Sequence, residues 1–153
     1  MILIKPMVPE HIDTVYDIEC ECFTTPWRKS TILQEITSET PTVYIAALYF
    51  EPFRAPEVVG YAGMWHVVDE GHITNLAVTN AHRRKGIAKM LLDYLTEIAA
   101  QREMQGLTLE VRVGNTAAQN LYTQHGFAIE GCRKGYYSDT GEDAFIMWKH
   151  LTR

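Results

Sequence analysis

The stretch from Gly86 to about Glu103 restricts the fold more than any other part of the chain. Its apolar residues recur at three- and four-residue intervals: Ile87, Met90, Leu91, Tyr94, Leu95 and Ile98. This spacing places them on one face of an α-helix and leaves the opposite face to water. A long helix with one apolar face must pack against a sheet or against other helices.

Segments with the composition of β-strands precede and follow this helix. Before it, β-branched and aromatic residues concentrate in 42–50, 58–68 and 72–78, and the runs 51–56 and 69–71 between them contain Pro or Gly. We therefore predict three consecutive antiparallel strands in this region. After the helix, strands are predicted at 107–113, 127–133 and 144–149.

Two short helices are predicted to open the chain. The first covers residues 9–22, with Pro9 in its first turn. The second is capped by Ser30 or Thr31 and ends near Thr40, because the following proline disfavours helical backbone before it.

A further helix is predicted between the fourth and fifth strands. Asn115 can cap its start, and Gly126 suits the left-handed position that follows many helices. The predicted fold class is α+β: a mixed, largely antiparallel sheet of about six to seven strands, flanked by about four helices.

Length and charge exclude several classes of protein. A chain of 153 residues suits one domain, 1–153. No apolar run approaches the roughly 20 residues of a membrane span, and the first residues lack the pattern of a signal peptide. We therefore expect a cytoplasmic protein without a membrane partner. The formal net charge of -5 argues against binding nucleic acid.

The cysteines and histidines form no metal-binding pattern. Cys20 and Cys22 are separated by one residue rather than the two of metal knuckles, and Cys132 lies far away in sequence. We predict three reduced, mostly packed thiols. The six histidines are scattered without ligand spacing, so no metal is expected.

Three cations stand immediately before the long helix, in the run Arg83-Arg84-Lys85-Gly86. The first N–H groups of a helix have no internal partner and attract anions, and Gly86 lets a phosphate approach the backbone closely. A pyrophosphate is the expected ligand. The P-loop and Rossmann patterns are absent. A solvated basic turn is the alternative interpretation.

The motif Arg83-x-x-Gly86-x-Ala88 resembles the Arg/Gln-x-x-Gly-x-Gly/Ala acetyl-CoA signature of GNAT-superfamily N-acetyltransferases, and the similarity extends over nearly the whole chain. The resemblance implies a three-layer GNAT fold with acetyl-CoA as co-substrate. It implies that main-chain amides of the turn cradle the pyrophosphate and that the preceding strand lines the pantetheine arm. The implied acetyl-CoA-binding residues are Leu76, Ala77, Val78, Arg83, Arg84, Lys85, Gly86, Ile87, Ala88, Lys89, Asn115 and Tyr122.

Further motifs resemble the ribosomal-protein alanine acetyltransferases of the RimI type. They are Leu109-Glu110-Val111-Arg112, Leu121-Tyr122, Gly126-Phe127 and the aromatic segments near residues 23–27 and 136–137. The resemblance implies transfer of an acetyl group to the N-terminal alanine of a small-subunit ribosomal protein. It also implies that the peptide lies between Phe23, Trp27, Tyr136 and Tyr137, although aromatic residues beside Pro and Gly also pack loops.

Glu110 is the predicted general base. Along the strand 107–113, Leu107, Leu109, Val111 and Val113 share one face, so Glu110 belongs to the other and can line a cleft. An α-amino group has a pKa of about 8, and roughly a tenth of it is neutral at pH 7, so a carboxylate acting through water suffices. The alternative is a surface glutamate paired with a nearby cation.

Tyr122 is the predicted general acid, because its phenol can give a proton to the departing thiolate. The alternative is a core tyrosine with its hydroxyl at the rim. Asn115 can both cap its helix and hydrogen-bond the co-substrate. The acidic residues Asp139, Glu142 and Asp143 either favour a basic peptide or solvate their loop.

Two other functions stay open. The chain can acetylate a small-molecule amine, such as a polyamine, an antibiotic or an amino acid, or it can be a non-catalytic acyl-CoA-binding module. The presence of both Glu110 and Tyr122 speaks against the second of these. The expected partner is the N-terminal peptide of a ribosomal protein, bound by a monomer or weak dimer.

Overall fold

A computed structural model describes residues 1–39 and 41–151 of the chain. The helices in these residues are α1 (Ile12–Cys22), α2 (Lys29–Thr37), α3 (Ile87–Gln101) and α4 (Thr116–Gln124). The strands in the same residues are β1 (Ile2–Pro6), β2 (Thr42–Tyr49), β3 (Glu57–Val67), β4 (Glu70–Val78), β5 (Gly106–Arg112), β6 (Ala128–Arg133) and β7 (Ala144–His150). Short 3-10 turns precede α1 and follow β4.

All seven strands belong to one mixed sheet with the order β1-β2-β3-β4-β5-β7-β6. Every neighbouring pair is antiparallel except β4 and β5, which run parallel. The predicted α+β class and the three-strand meander are therefore confirmed.

Helices cover both faces of the sheet and give the molecule three layers. On one face, α3 buries Ile87, Leu91, Leu92, Leu95 and Ala99 against the strands. On the other, α1 and α2 bury Ile12, Val15, Ile18 and Ile32 beside Tyr61 and Ala77. The buried face of α3 includes Ile87, Leu91 and Leu95 of the predicted stripe. Leu92 and Ala99 are buried as well, whereas Met90, Tyr94 and Ile98 are only partly buried. In the described residues, no helix is both long and apolar enough to cross a membrane.

The prediction that two helices open the chain was wrong, because β1 precedes them. This edge strand pairs with β2 from Ile2 opposite Tyr49 to Pro6 opposite Ile45. Ile2 and Ile4 turn toward the core while Leu3 and Lys5 turn away, an alternation only five residues long. Pro6 has no N–H group to donate. It is tolerated in this strand because one side of an edge strand has no neighbouring strand to bond.

Several smaller predictions also need correction. Helix α2 starts at Lys29 after Arg28, so Ser30 and Thr31 lie inside it, and it ends at Thr37; Thr40 is outside the described residues. The turn between β3 and β4 is Val68–Asp69, with Val68 in the left-handed region at φ 56°. All three cysteines are free thiols, but Cys20 and Cys132 are exposed rather than packed.

Candidate active site

The sheet opens in its middle, between β4 and β5. These strands pair at only three positions, Glu70 with Gly106, Gly71 with Leu107 and His72 with Thr108. Beyond this joint, β4 continues to Val78 and β5 to Arg112. In the described part of the chain the two strands no longer pair with each other there. The two strands therefore leave a gap whose sides carry main-chain N–H and C=O groups free of a sheet partner.

A cleft of about 920 Å³ occupies this gap and extends over the face of the sheet that carries α1. Its walls come from α1 and the turn after it, from the separated parts of β4 and β5, from α4, and from the loop between β6 and β7. Of the residues predicted for the site, those that line the cleft are Leu76, Glu110, Asn115, Tyr122, Phe23, Trp27, Tyr136 and Tyr137.

Glu110 faces the cleft as the alternation of β5 predicts. Leu107, Leu109 and Val111 are buried in the α3 layer, whereas the Glu110 side chain is 29% exposed. Its Oε1 atom lies 3.4 Å from Nε of Arg133 on β6. The surroundings of Glu110 agree in part with the general-base interpretation and in part with the ion-pair interpretation, because the carboxylate lines the cleft and also contacts a cation.

Tyr122 lies on α4 and lines the cleft, and its ring meets Phe127 edge to face at 5.7 Å between centroids. Burial raises the pKa of the Tyr122 phenol above its ordinary value, with a smaller contribution from Tyr137. The group therefore stays protonated at neutral pH, as a proton donor must. Asn115 caps α4 by accepting the N–H of Ala118 at 3.1 Å.

The four predicted aromatic residues form two walls of the same cleft. Phe23 and Trp27 stand on the turn between α1 and α2, and Tyr136 and Tyr137 stand on the loop between β6 and β7. The two tyrosine rings meet edge to face, with centroids 5.0 Å apart. Burial raises the pKa of Tyr137 to about 12, although the neighbouring Arg112 acts in the other direction.

Asp139 joins the two aromatic walls. Its carboxylate accepts hydrogen bonds from the hydroxyls of Thr24 and Thr25, at 3.3 and 3.4 Å, across the cleft from its own loop. Nη2 of Arg112 holds the same carboxylate at 2.8 Å, while the Arg112 guanidinium lies 3.9 Å from the Tyr137 ring centre. The hydrogen bonds from Arg112 lower the pKa of Asp139 below its ordinary value.

The acidic loop residues are paired within the protein. Arg112 contacts Glu142 as well as Asp139, and Lys134 contacts Asp143 at 3.2 Å. Asp143 also accepts the N–H of Gly135 at 2.8 Å. These contacts give the three carboxylates a role in holding the loop together, so they give little support to the alternative that they select a basic peptide.

A buried carboxylate, Glu19, was missed by the sequence analysis. It is 1% exposed and accepts hydrogen bonds from the Tyr61 hydroxyl, from Asn75 Nδ2 at 2.9 Å and from the Trp27 N–H at 2.9 Å. Burial raises the pKa of Glu19, and the hydrogen bonds from Trp27 and Asn75 oppose that shift. The signal was present: Glu19 follows Val15 by four residues and so belongs to the apolar stripe of α1.

The basic turn before α3 has an open, left-handed backbone. Arg84 and Gly86 both adopt left-handed conformations, at φ 62° and 77°, and a Cβ on Gly86 would meet no atom within 4 Å. Arg84 and Lys85 are exposed at the helix start, whereas Arg83 folds back to contact Val78 O and Cys22 Sγ. The turn therefore offers open main-chain amides and positive charge at the end of the cleft-lining strand.

Some predicted side chains point elsewhere. Ala77, Val78 and Ile87 are buried in the two cores, so only their main-chain atoms can meet a ligand. Lys89 pairs with Asp93 one helical turn away, at 3.7 Å. Among the described residues, no group of three His, Cys, Asp or Glu side chains has the arrangement of a metal site.

Residues 12–127 match the Acetyltransferase (GNAT) family. A relative from Bacillus subtilis (strain 168), provisionally named as a [ribosomal protein bS18]-alanine N-acetyltransferase, is 39% identical over 145 residues, which are 95% of this chain and 93% of that protein. The chain therefore belongs to the GNAT family of acetyltransferases.

Solved structures show the same fold. The ribosomal-protein-S18-alanine N-acetyltransferase from Escherichia coli aligns with a TM-score of 0.86 and 28% identity, covering 100% of this chain and 96% of that one. Arabidopsis thaliana NAA60, solved in complex with acetyl-CoA, aligns with a TM-score of 0.87 at 17% identity, over 99% of this chain and 100% of that one. At that lower identity the likeness concerns the fold alone.

Proposed function

We propose that residues 1–153 form one acetyltransferase domain that transfers the acetyl group of acetyl-CoA to the N-terminal α-amino group of a protein. The observation that carries the proposal is the opened sheet: Glu110 and Tyr122 line one cleft where β4 and β5 separate. Relatives named as [ribosomal protein bS18]-alanine N-acetyltransferases support the N-terminal alanine of bS18 as the acceptor. A ribosomal substrate implies action in the cytoplasm.

The basic turn and the opened strand fit acetyl-CoA. The left-handed backbone at Arg84 and Gly86 exposes amides at the start of α3, where pyrophosphate oxygens would find donors and a favourable helix dipole. The free edge of β4 at Leu76 suits the amide groups of the pantetheine arm, since these need donors and acceptors along an extended chain. Nothing in these residues calls for a metal.

In the proposed reaction, the neutral amine nitrogen attacks the thioester carbonyl carbon and a C–N bond forms. Glu110, directly or through water, takes the proton that the nitrogen gives up. The C–S bond then breaks, and the phenol of Tyr122 supplies the proton that the leaving thiolate needs. Because burial raises the pKa of Tyr122, the phenol still carries that proton at neutral pH when the C–S bond breaks.

The acceptor peptide is proposed to enter between the two aromatic walls. Phe23 and Trp27 would contact one side of its first residues, and Tyr136 and Tyr137 the other. Aromatic side chains offer a large apolar area with few rotatable bonds, which suits the binding of an extended peptide. A small first side chain such as alanine leaves room for the amine to reach the gap between the strands.

The direct test supplies purified protein with acetyl-CoA and a peptide that begins with the N-terminal sequence of bS18. Mass spectrometry should find one added acetyl group, on the first residue. A peptide blocked by a formyl group at that amine is the matched control and should gain none. Acetylation of a polyamine or an antibiotic in preference to any peptide would contradict the proposal.

Asp139 should control peptide affinity without taking part in chemistry. Asp139→Asn removes the charge that holds Arg112 and weakens the bonds to Thr24 and Thr25, so the two walls lose their link. We expect the KM for peptide to rise by about five- to ten-fold, the scale of one ordinary hydrogen bond at a partly exposed site, with acetyl-CoA affinity unchanged. Asp143→Asn, on the same loop but outside the link, is the control. An equal rise in KM for both variants would contradict the role of the link.

A further inference from the structure

Asn75 carries an unsatisfied acceptor in the wall of the cleft. The residue is 7% exposed, and its Oδ1 atom is buried without a hydrogen-bond partner among the described residues. It lies on the separated part of β4 and lines the cleft beside Glu19 and Trp27. The other such atom, Nε2 of His72, is 3.8 Å from the Glu70 carboxylate and belongs to no wall of the cleft.

Glu19 fixes which end of the Asn75 amide faces the cleft. The Glu19 carboxylate accepts hydrogen bonds from Tyr61, Trp27 and the Asn75 NH₂ group. Turning the Asn75 amide over would bring its oxygen against a carboxylate oxygen, two acceptors with no proton between them. The carboxylate therefore keeps the NH₂ group inward and leaves Oδ1 without a partner in the wall of the cleft.

We propose that Oδ1 of Asn75 accepts an N–H from the α-amino group of the acceptor, and that Glu19 is the positioning residue for this contact. The inference rests on the proposed function and names a specificity contact for it. An amide oxygen is neutral, so it can hold one N–H without stabilising the ammonium form as a carboxylate would. The nitrogen lone pair stays available for the thioester, and another N–H stays available for the base.

The test compares two ligands that differ only in the α-amino group. One is the alanine-initiated peptide, and the other is the same peptide with a propionyl group in place of the first alanine, used as a competitive inhibitor. Asn75→Leu keeps the size of the side chain but removes the acceptor. It should raise the KM for the peptide by about ten-fold and leave the inhibition constant of the propionyl peptide unchanged.

Glu19→Gln provides the second variant. Its amide can donate to Asn75, which allows Oδ1 to turn inward, so this variant should show the same selective loss of the amine-bearing ligand. Calorimetric binding of CoA, expected to match the wild type in both variants, shows that the fold is intact. If both ligands weaken equally, the network merely supports the wall at Trp27 and the inference is overturned.

The proposed function and the proposed amine contact of Asn75 can be refuted separately. Wild-type protein that acetylates the peptide, combined with an Asn75→Leu variant of unchanged KM, would refute the amine contact and leave the proposed function standing. Wild-type protein that binds CoA but acetylates no peptide would refute the proposed function, and the amine contact with it.

Discussion

Glu110→Gln is expected to lower kcat by about 100-fold or more while CoA binding stays near the wild-type value. The glutamine keeps the shape of the side chain and its place on β5, but it cannot accept the proton of the attacking amine. Turnover is measured by release of free CoA thiol at saturating peptide, and CoA affinity by calorimetry. A fall in kcat/KM as large as the fall in kcat would assign the loss to the transition state.

The matched control separates catalysis from the ion pair that Glu110 makes. Arg133→Gln breaks the same 3.4 Å contact from the other side and leaves the carboxylate in the cleft. We expect this variant to stay within about three-fold of wild-type turnover, since one exposed ion pair contributes little. If Arg133→Gln loses as much activity as Glu110→Gln, the carboxylate serves the ion pair and another group is the base.

Tyr122→Phe is expected to lower kcat by about 100-fold, because the variant keeps the ring that packs on Phe127 but has no proton for the thiolate. Burial raises the pKa of the phenol, so the protonated form persists to higher pH than in a free tyrosine. Any alkaline loss of activity that comes from Tyr122 must therefore lie above about pH 10. Rate measurements up to that pH check the sign of the shift.

Tyr94→Phe is the control for this experiment. Tyr94 lies on α3 beside a second cavity of about 310 Å³, away from the cleft, and removal of its hydroxyl should leave turnover unchanged. Full activity of Tyr122→Phe across the pH range would reject the acid role, and proton transfer to sulfur would then involve water or another side chain.

Periodicity predicted most of the fold, and pairing between segments distant in sequence decided the rest. The stripe of α3 and the alternation of β5 are properties of consecutive residues, so the sequence contains them in full. Strand β1 has only two inward side chains, too few for a period to stand out, and it becomes a strand because β2 offers a free edge. Such pairing depends on residues about 40 positions away in sequence.

The candidate site divides in the same way. Glu110 and Tyr122 belong to motifs, and the structure brings both to one cleft. Asn75 and Glu19 are 56 positions apart and become partners only when α1 lies over β4. A bulge adds to the difficulty: Gly63 pairs with Asn75 and Met64 with Ile73, so Thr74 is skipped and strict alternation misassigns the faces of β4. A polar residue on the apolar face of α1 was the available clue.

The sheet consists of a four-stranded part and a three-stranded part, joined by one short seam where Glu70–His72 of β4 pair with Gly106–Thr108 of β5. The angle between the two parts at this seam sets the width of the opening. A Cβ on Gly106, which pairs with Glu70 in this seam, would stand 2.8 Å from the main-chain oxygen of Lys149, so the backbone itself would have to move. Substitutions at this seam, remote from every reacting group, would therefore change the aperture through which both substrates must meet.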